Sequence, residues 1–180
     1  MGNMISDFVK GKKRFEFETV IQKGIVLHRD IDAFTDEHAT TKKANQFLKP
    51  AVGLYAGAFI DIVYDHFLAM DKNEFTDESL LRFSLSVYAT LDNYRSIFPE
   101  RFARMFPYMK SDNWLYNYHT LSGTEKSFDG LARRAKYLDS STSAFESFQK
   151  NYTILQECYN EFFPALKEFA YKKFISMKVY

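Results

Sequence analysis

Apolar positions along this chain recur three and four apart almost throughout, the spacing that lines one face of an α-helix. The longest such series is Phe145, Phe148, Tyr152, Leu155, Tyr159, Phe162, Leu166 and Phe169, which predicts one C-terminal helix. Its seam packs along the body of the domain or, as the alternative, against a second copy. Pro164 falls inside the series and removes a backbone donor, so a kink is expected there. Leu27, Ile31 and Phe34 mark the core stripe of a helix over 18–38, with Gly24 as a candidate break. Leu80, Leu81, Leu85, Val87, Tyr88, Leu91 and Tyr94 predict a helix capped by Thr76 or Asp77. A short helix is expected between Pro99 and Pro107, an aromatic turn or short helix at 113–118, and a helix over 131–138. Residues 4–10 read as one or two turns stopped near Gly11. No stretch alternates strictly over a length that demands a sheet, so the pattern predicts an all-α chain.

The central helix is expected from about Pro50, and its segment Phe59–Leu68 departs from ordinary amphipathicity. Phe59, Ile60, Ile62, Val63, Tyr64, Phe67 and Leu68 make it apolar nearly all round, as in a buried helix. Yet Asp61 and Asp65 stand four apart on one face, with His66 beside them. Buried carboxylates are paired, protonated or bound to a metal. Earlier, His28, Asp32 and Asp36 follow one another at four-residue spacing, so their side chains stack on one helix stripe. A structural network with Arg or Tyr is the plainer alternative for the Asp61/Asp65 pair, and an exposed salt-bridged face for the His28, Asp32 and Asp36 stripe.

Composition narrows the choices. A length of 180 residues suits one domain spanning 1–180, and 19 Phe with 12 Tyr supply ample core. The net charge of +1 gives no general attraction to nucleic acid or membrane. The single cysteine, Cys158, excludes an internal disulfide and fits a reducing cytoplasm. No apolar run approaches the roughly 20 residues that span a bilayer, and no signal peptide is visible. Glycine-rich phosphate loops, nucleophile elbows and paired zinc-type cysteines are absent.

Asp7, His28, Asp32, Asp61 and Asp65 come from three separated segments. Imidazole with hard carboxylates and no thiolate favours Mn²⁺, Mg²⁺ or Fe²⁺ over Zn²⁺. Arg29, Arg133 and Arg134 are of the type that grips phosphate oxygens in bidentate fashion.

Three stretches then resemble the successive motifs of the acyl carrier protein phosphodiesterase family: Gly2–Gly11, Gly24–Asp36 with its His-Arg-x-Ile-Asp run, and Asp61–Leu68 with Asp-His-Phe-Leu. Trp114-Leu115 with Tyr118, Leu131–Arg134 and Phe162-Phe-Pro164 fall at matching places. The resemblance implies a single-domain helical bundle related to the HD superfamily of metal-dependent phosphohydrolases. It implies hydrolysis of the bond joining 4′-phosphopantetheine to a serine of holo acyl carrier protein, with a divalent ion, Mn²⁺ before Mg²⁺ or Fe²⁺. By matching motif, Asp7, His28, Asp32, Asp61 and Asp65 become the metal set, Asp7 and Asp61 also catalytic, and His66 an acid or supporting group. Phosphate binding falls to Arg29, Arg133 and Arg134. A cytoplasmic monomer or homodimer is expected, with the carrier as partner.

Family members usually begin with a further short helix bearing a histidine. Here Met1 directly precedes the first motif, so an uncovered apolar groove is expected where that helix packs. Two other readings stay open from the residues: a phosphohydrolase acting on a nucleotide or other small phosphoester, and a binding protein that grips the carrier without cleaving it. Acyl carrier proteins are acidic, so Lys10, Lys12, Lys13, Arg14 and Arg29 are the candidate docking residues.

Overall fold

Ten α-helices and four short 3₁₀ segments account for most of the chain in this computed structural model, which describes residues 1–178. There is no strand among the described residues. The helices are α1 (Gly2–Ile5), α2 (Thr19–Glu37), α3 (Ala39–Val52), α4 (Ala56–Met70), α5 (Asp77–Asp92), α6 (Glu100–Ser111), α7 (Trp114–Asn117), α8 (Leu121–Ala132), α9 (Thr142–Lys150) and α10 (Tyr152–Lys178). The 3₁₀ segments are Ser6–Phe8, Gly11–Glu16, Gly53–Tyr55 and Arg95–Ile97.

Two apolar clusters organise the single all-α domain. The larger joins Leu48 and Val52 of α3, Phe59, Ile60, Val63 and Phe67 of α4, Phe128 of α8, Phe148 of α9, and Leu155, Tyr159 and Phe162 of α10. Aromatic edges fix its interior, as where Phe59 and Phe128 meet at 86° with centroids 4.8 Å apart. The smaller joins Ile5 and Val9 to Ile21 and Ile25 of α2, Tyr88 and Leu91 of α5, and Phe102 and Phe106 of α6. Helix α2 belongs to both: Ile21 and Ile25 enter the smaller cluster, while Phe34 stacks on Phe169 with centroids 4.4 Å apart. The face carrying His28, Asp32 and Asp36 therefore lies along the seam between the two clusters.

Several boundaries differ from the sequence expectation, each for a local reason. Gly24 does not break α2. It lets α1 cross at backbone contact, since a Cβ there would stand 3.1 Å from the Asn3 nitrogen, and one on Gly2 would collide with the Ile21 carbonyl. Pro50 sits near the end of α3 rather than at the start of the central helix, and the break falls at Gly53, whose φ of +57° favours glycine. Pro107 likewise lies inside α6. The helix expected over 131–138 is instead α8, capped by the Thr120 hydroxyl accepting from the Gly123 amide at 2.9 Å. Leu131 and Leu138 still pack on the larger cluster, so their spacing recorded anchoring and not helix.

The C-terminal seam is split between α9 and α10 at Asn151, whose amide nitrogen donates to the Ser147 carbonyl at 2.8 Å. Its residues are nonetheless core. The Thr76 cap is present as a capping box with Ser79, whereas Leu81 and Leu85 of α5 face outward. Residues 39–70 are long and apolar enough to cross a membrane by composition, but Gly53 divides them and the two halves line the larger cluster.

Candidate metal centre

The Gly2–Gly24 crossing sets the geometry of the site. It lays the turn from α1 into Ser6–Phe8 across α2, so Asn3 and Asp7, four apart, both look down on His28. The Ser6 hydroxyl donates to the Ile25 carbonyl at 3.4 Å, and Arg29 Nη2 donates to the Val9 carbonyl at 2.6 Å, tying both ends of the turn to α2.

Beneath it, His28 Nδ1 meets Asn3 Oδ1 at 3.0 Å, while Nε2 stands 3.2 Å from Asp7 Oδ1 and 3.2 Å from Asp32 Oδ2. Among the described residues, Asp7, His28 and Asp32 bring ligand atoms within 4.8 Å of one another. An amide oxygen accepting from Nδ1–H holds the ring so that Nε2 faces the carboxylates, the arrangement that orients metal-ligating histidines. Donor atoms bound about 2.1 Å from one ion at right angles are about 3 Å apart, so the observed spacings suit a shared cation.

Charge follows this geometry. Burial pulls His28 down, but its bond to Asp7 and the charge of Asp32 outweigh that, and the ring is held above its ordinary value. The His28 bond lowers Asp7, whereas desolvation leaves Asp32 raised despite His28. Asp7 is therefore the stronger partner of the imidazolium when no cation is bound.

Helix α4 supplies the opposite wall. Phe59, Ile60, Val63, Tyr64 and Phe67 turn inward, leaving Asp61 and Asp65 on the one solvent-reached face. A Cβ on Gly57, one turn before Asp61, would meet Asp36 Oδ1 at 3.7 Å. Asp61 feels the charges of Asp32 and Asp36, and Asp65 that of His28. The stripes 28–32–36 and 65–61–57 thus oppose each other antiparallel across a cleft. Water reaches both α4 carboxylates, yet protein surrounds them on most sides. Desolvation, aided at Asp61 by like charge from Asp65, raises each to about 7.

Other expected residues fall differently. Arg29 and Arg134 lie close enough to lower Asp7, but Arg29 already serves the Val9 carbonyl and Arg134 Nη1 lies 3.9 Å from Met105 Sδ. Arg133 caps the end of α8 and is exposed. His66 is 1 % exposed and its ring is fully engaged: Nδ1 with the Tyr118 carbonyl at 2.7 Å and Thr124 Oγ1 at 3.1 Å, Nε2 with the Tyr152 hydroxyl at 2.9 Å. That leaves no ring nitrogen for an ion or a substrate. His38 caps α3, its Nδ1 accepting from the Thr40 amide at 3.3 Å.

The sequence pattern did not single out Asn3, although its four-residue distance from Asp7 was a usable signal. Nor did it single out Tyr118 for chemistry. Its carbonyl is fixed by His66, and its phenol is pushed up by burial and the charge of Asp65.

A family model described as acyl carrier protein phosphodiesterase matches residues 1–166. The chain is 27% identical over 166 residues to the acyl carrier protein phosphodiesterase of Enterobacter sp. (strain 638), covering 92% of this chain and 86% of that one. It is 26% identical over 174 residues to that of Photorhabdus laumondii subsp. laumondii, covering 96% and 88%. It is 27% identical over 177 residues to that of Klebsiella pneumoniae (strain 342), covering 96% and 90%. No solved structure matches. With nearly its whole length matched, this chain belongs to the acyl carrier protein phosphodiesterase family.

Proposed function

We propose that the protein is a divalent-metal-dependent phosphodiesterase that cleaves the 4′-phosphopantetheine–serine bond of holo acyl carrier protein. The supporting observation is the convergence of His28 Nε2, Asp7 and Asp32 opposite the Asp61/Asp65 face, in a chain of this family. His28, Asp7 and Asp32 would hold the ion, with Asp61 and Asp65 facing it across the cleft. Mn²⁺ is the first choice and Mg²⁺ or Fe²⁺ the others, given one imidazole among hard oxygens. When bound, the ion supplies Lewis-acid polarisation of a phosphoryl oxygen.

The chain's own groups do the rest. Asn3 holds the His28 ring in the ligating tautomer. Asp61, on the α4 face turned toward the ion-holding set, is the carboxylate that would take a proton from the attacking water. Arg29 and Arg134 offset negative charge beside Asp7, where a phosphodiester would arrive. Water adds to phosphorus, the bond to the serine oxygen breaks, and that oxygen takes up a proton to give apo carrier and 4′-phosphopantetheine.

The exposed lysines Lys10, Lys12 and Lys13 follow Asp7 closely in the chain and offer a positive surface to an acidic carrier in the cytoplasm. Incubation with holo acyl carrier protein and Mn²⁺, read by intact mass, tests the proposal. Loss of the prosthetic arm is expected. An unchanged carrier with cleavage of a nucleotide panel would replace the substrate, and carrier binding without turnover would remove the enzymatic role.

A further inference from the structure

Behind the Asp7 turn lies a groove of about 370 Å³ that the hydrolytic chemistry does not use. Its walls are Phe8 and Val9, Phe17, and Ile97, Phe98 and Pro99 of the α5–α6 connection. It shares the Ser6–Phe8 turn with the candidate metal centre. Asp7 points to His28 at 3.2 Å, and its neighbour Phe8 lines the groove with its ring edge-on to Phe102, centroids 5.4 Å apart. Arg29, the residue after His28, holds the Val9 carbonyl and so fixes the wall between the two spaces. Ile97 stands 40% exposed in this wall although it is apolar. The charges at the groove cancel, Lys13 and Arg101 against Glu16 and Glu100, and Glu100 is also paired with Arg104 at 3.0 Å.

Apolar walls with balanced charge suit an uncharged chain better than an anion. The volume is near the lower end of the ~300–1,000 Å³ usual for small-molecule sites. Resting on the phosphodiesterase reading above, we propose that this groove receives the pantetheine arm of the substrate. The arm is a neutral, flexible chain of amides and methylenes ending in a thiol. With its phosphate at the metal centre, the arm runs past Phe8 into the groove. Binding energy from this non-reacting portion then positions the phosphorus.

The test uses the full chain and free pantetheine, which lacks the phosphate and so reports on the groove alone. Pantetheine binding, followed by ligand-observed NMR without metal, is expected to weaken at least about tenfold in Ile97→Trp, which fills the groove. Phe17→Ala, which removes a wall without adding bulk, should weaken it about threefold or more. Mn²⁺ uptake should be unchanged in both, showing that the fold and the neighbouring cluster are intact. The kcat/KM for holo carrier should fall in step.

Pantetheine binding and carrier cleavage both unaffected by Ile97→Trp would overturn the groove assignment and leave the hydrolytic reading standing. Weakened pantetheine binding in a protein that never cleaves the carrier would support the groove and remove the hydrolytic reading. A dimer that dissociates on Ile97→Trp, with pantetheine binding intact, would make the groove a contact between copies and overturn the proposal.

Discussion

His28 and His66 each sit next to aspartates in motifs of similar appearance, yet they occupy opposite kinds of environment. His28 lies on the cleft wall, its Nε2 between two carboxylates and its charge favoured. His66 lies among Phe67, Phe148 and Tyr152, its nitrogens matched to a carbonyl, a threonine and a phenol, its charge disfavoured by burial. The consistent form of His66 is neutral, with Nδ1–H toward Tyr118 and Nε2 accepting from Tyr152. Neighbouring residues on a helix point about 100° apart, so the Asp65-His66 pair is divided between cleft and core. Adjacency in a helical motif does not imply a shared site; spacing by four at least places two side chains on one face.

The sharpest way to break this contrast is to remove the rings in turn. His28→Ala should lower Mn²⁺ affinity by at least about 100-fold by calorimetry, with little loss of fold, since a ligating ring disappears from a half-exposed position. Asn3→Ala, which frees the ring without removing it, should cost about 10- to 100-fold in the same measurement. His66→Ala should leave Mn²⁺ uptake per folded molecule unchanged. It should destabilise the fold by about 2–4 kcal/mol in urea melts, through a cavity and an unpaired Tyr118 carbonyl. Metal loss in His66→Ala with stability intact would reverse the assignments.

A smaller effect is the pH dependence of the metal-free protein. His28 is raised, so the stability from its pairing is present below about pH 6.5 and is lost as pH rises through its folded value. Asp61 and Asp65, raised to about 7, keep protons that the unfolded chain releases near pH 4, so they too lower stability as pH climbs across that window. Solvent at the cleft screens part of this, so the change in Tm is modest. His66 is lowered and runs the other way, its contribution being lost as pH falls below about 6.5. Melts across pH 4–8 should show His28→Ala flattening the alkaline side and His66→Ala flattening the acid side.

Much of this was legible in the chain because helical periodicity is a local property. The registers of His28, Asp32 and Asp36 and of Asp61 with Asp65 follow from four-residue spacing, and the three-and-four spacing of the Phe145–Phe169 seam marks its inward face though not its break at Asn151. What stayed hidden depended on partners distant in sequence. Gly24 reads as a helix breaker until Gly2 is seen lying on it, and Asn3 has no evident task until His28 is brought beneath it. Prolines misled as punctuation: Pro50 and Pro107 are both carried inside helices whose actual stops lie at Gly53 and Asp112. The fate of His66 was set by Tyr118, Thr124 and Tyr152, 52, 58 and 86 positions away.

The bend at Gly53 has a bearing on how this chain can be altered. Any residue with a Cβ is strained at its φ of +57°, and the easiest relief is to continue the helix. A straightened 39–70 segment would be a rod about 48 Å long, its greasiest turns stripped of their aromatic partners. Such a rod would sooner insert into lipid or into its neighbours than refold, so a bulky replacement at this hinge should surface first as lost expression, before any catalytic defect could be measured.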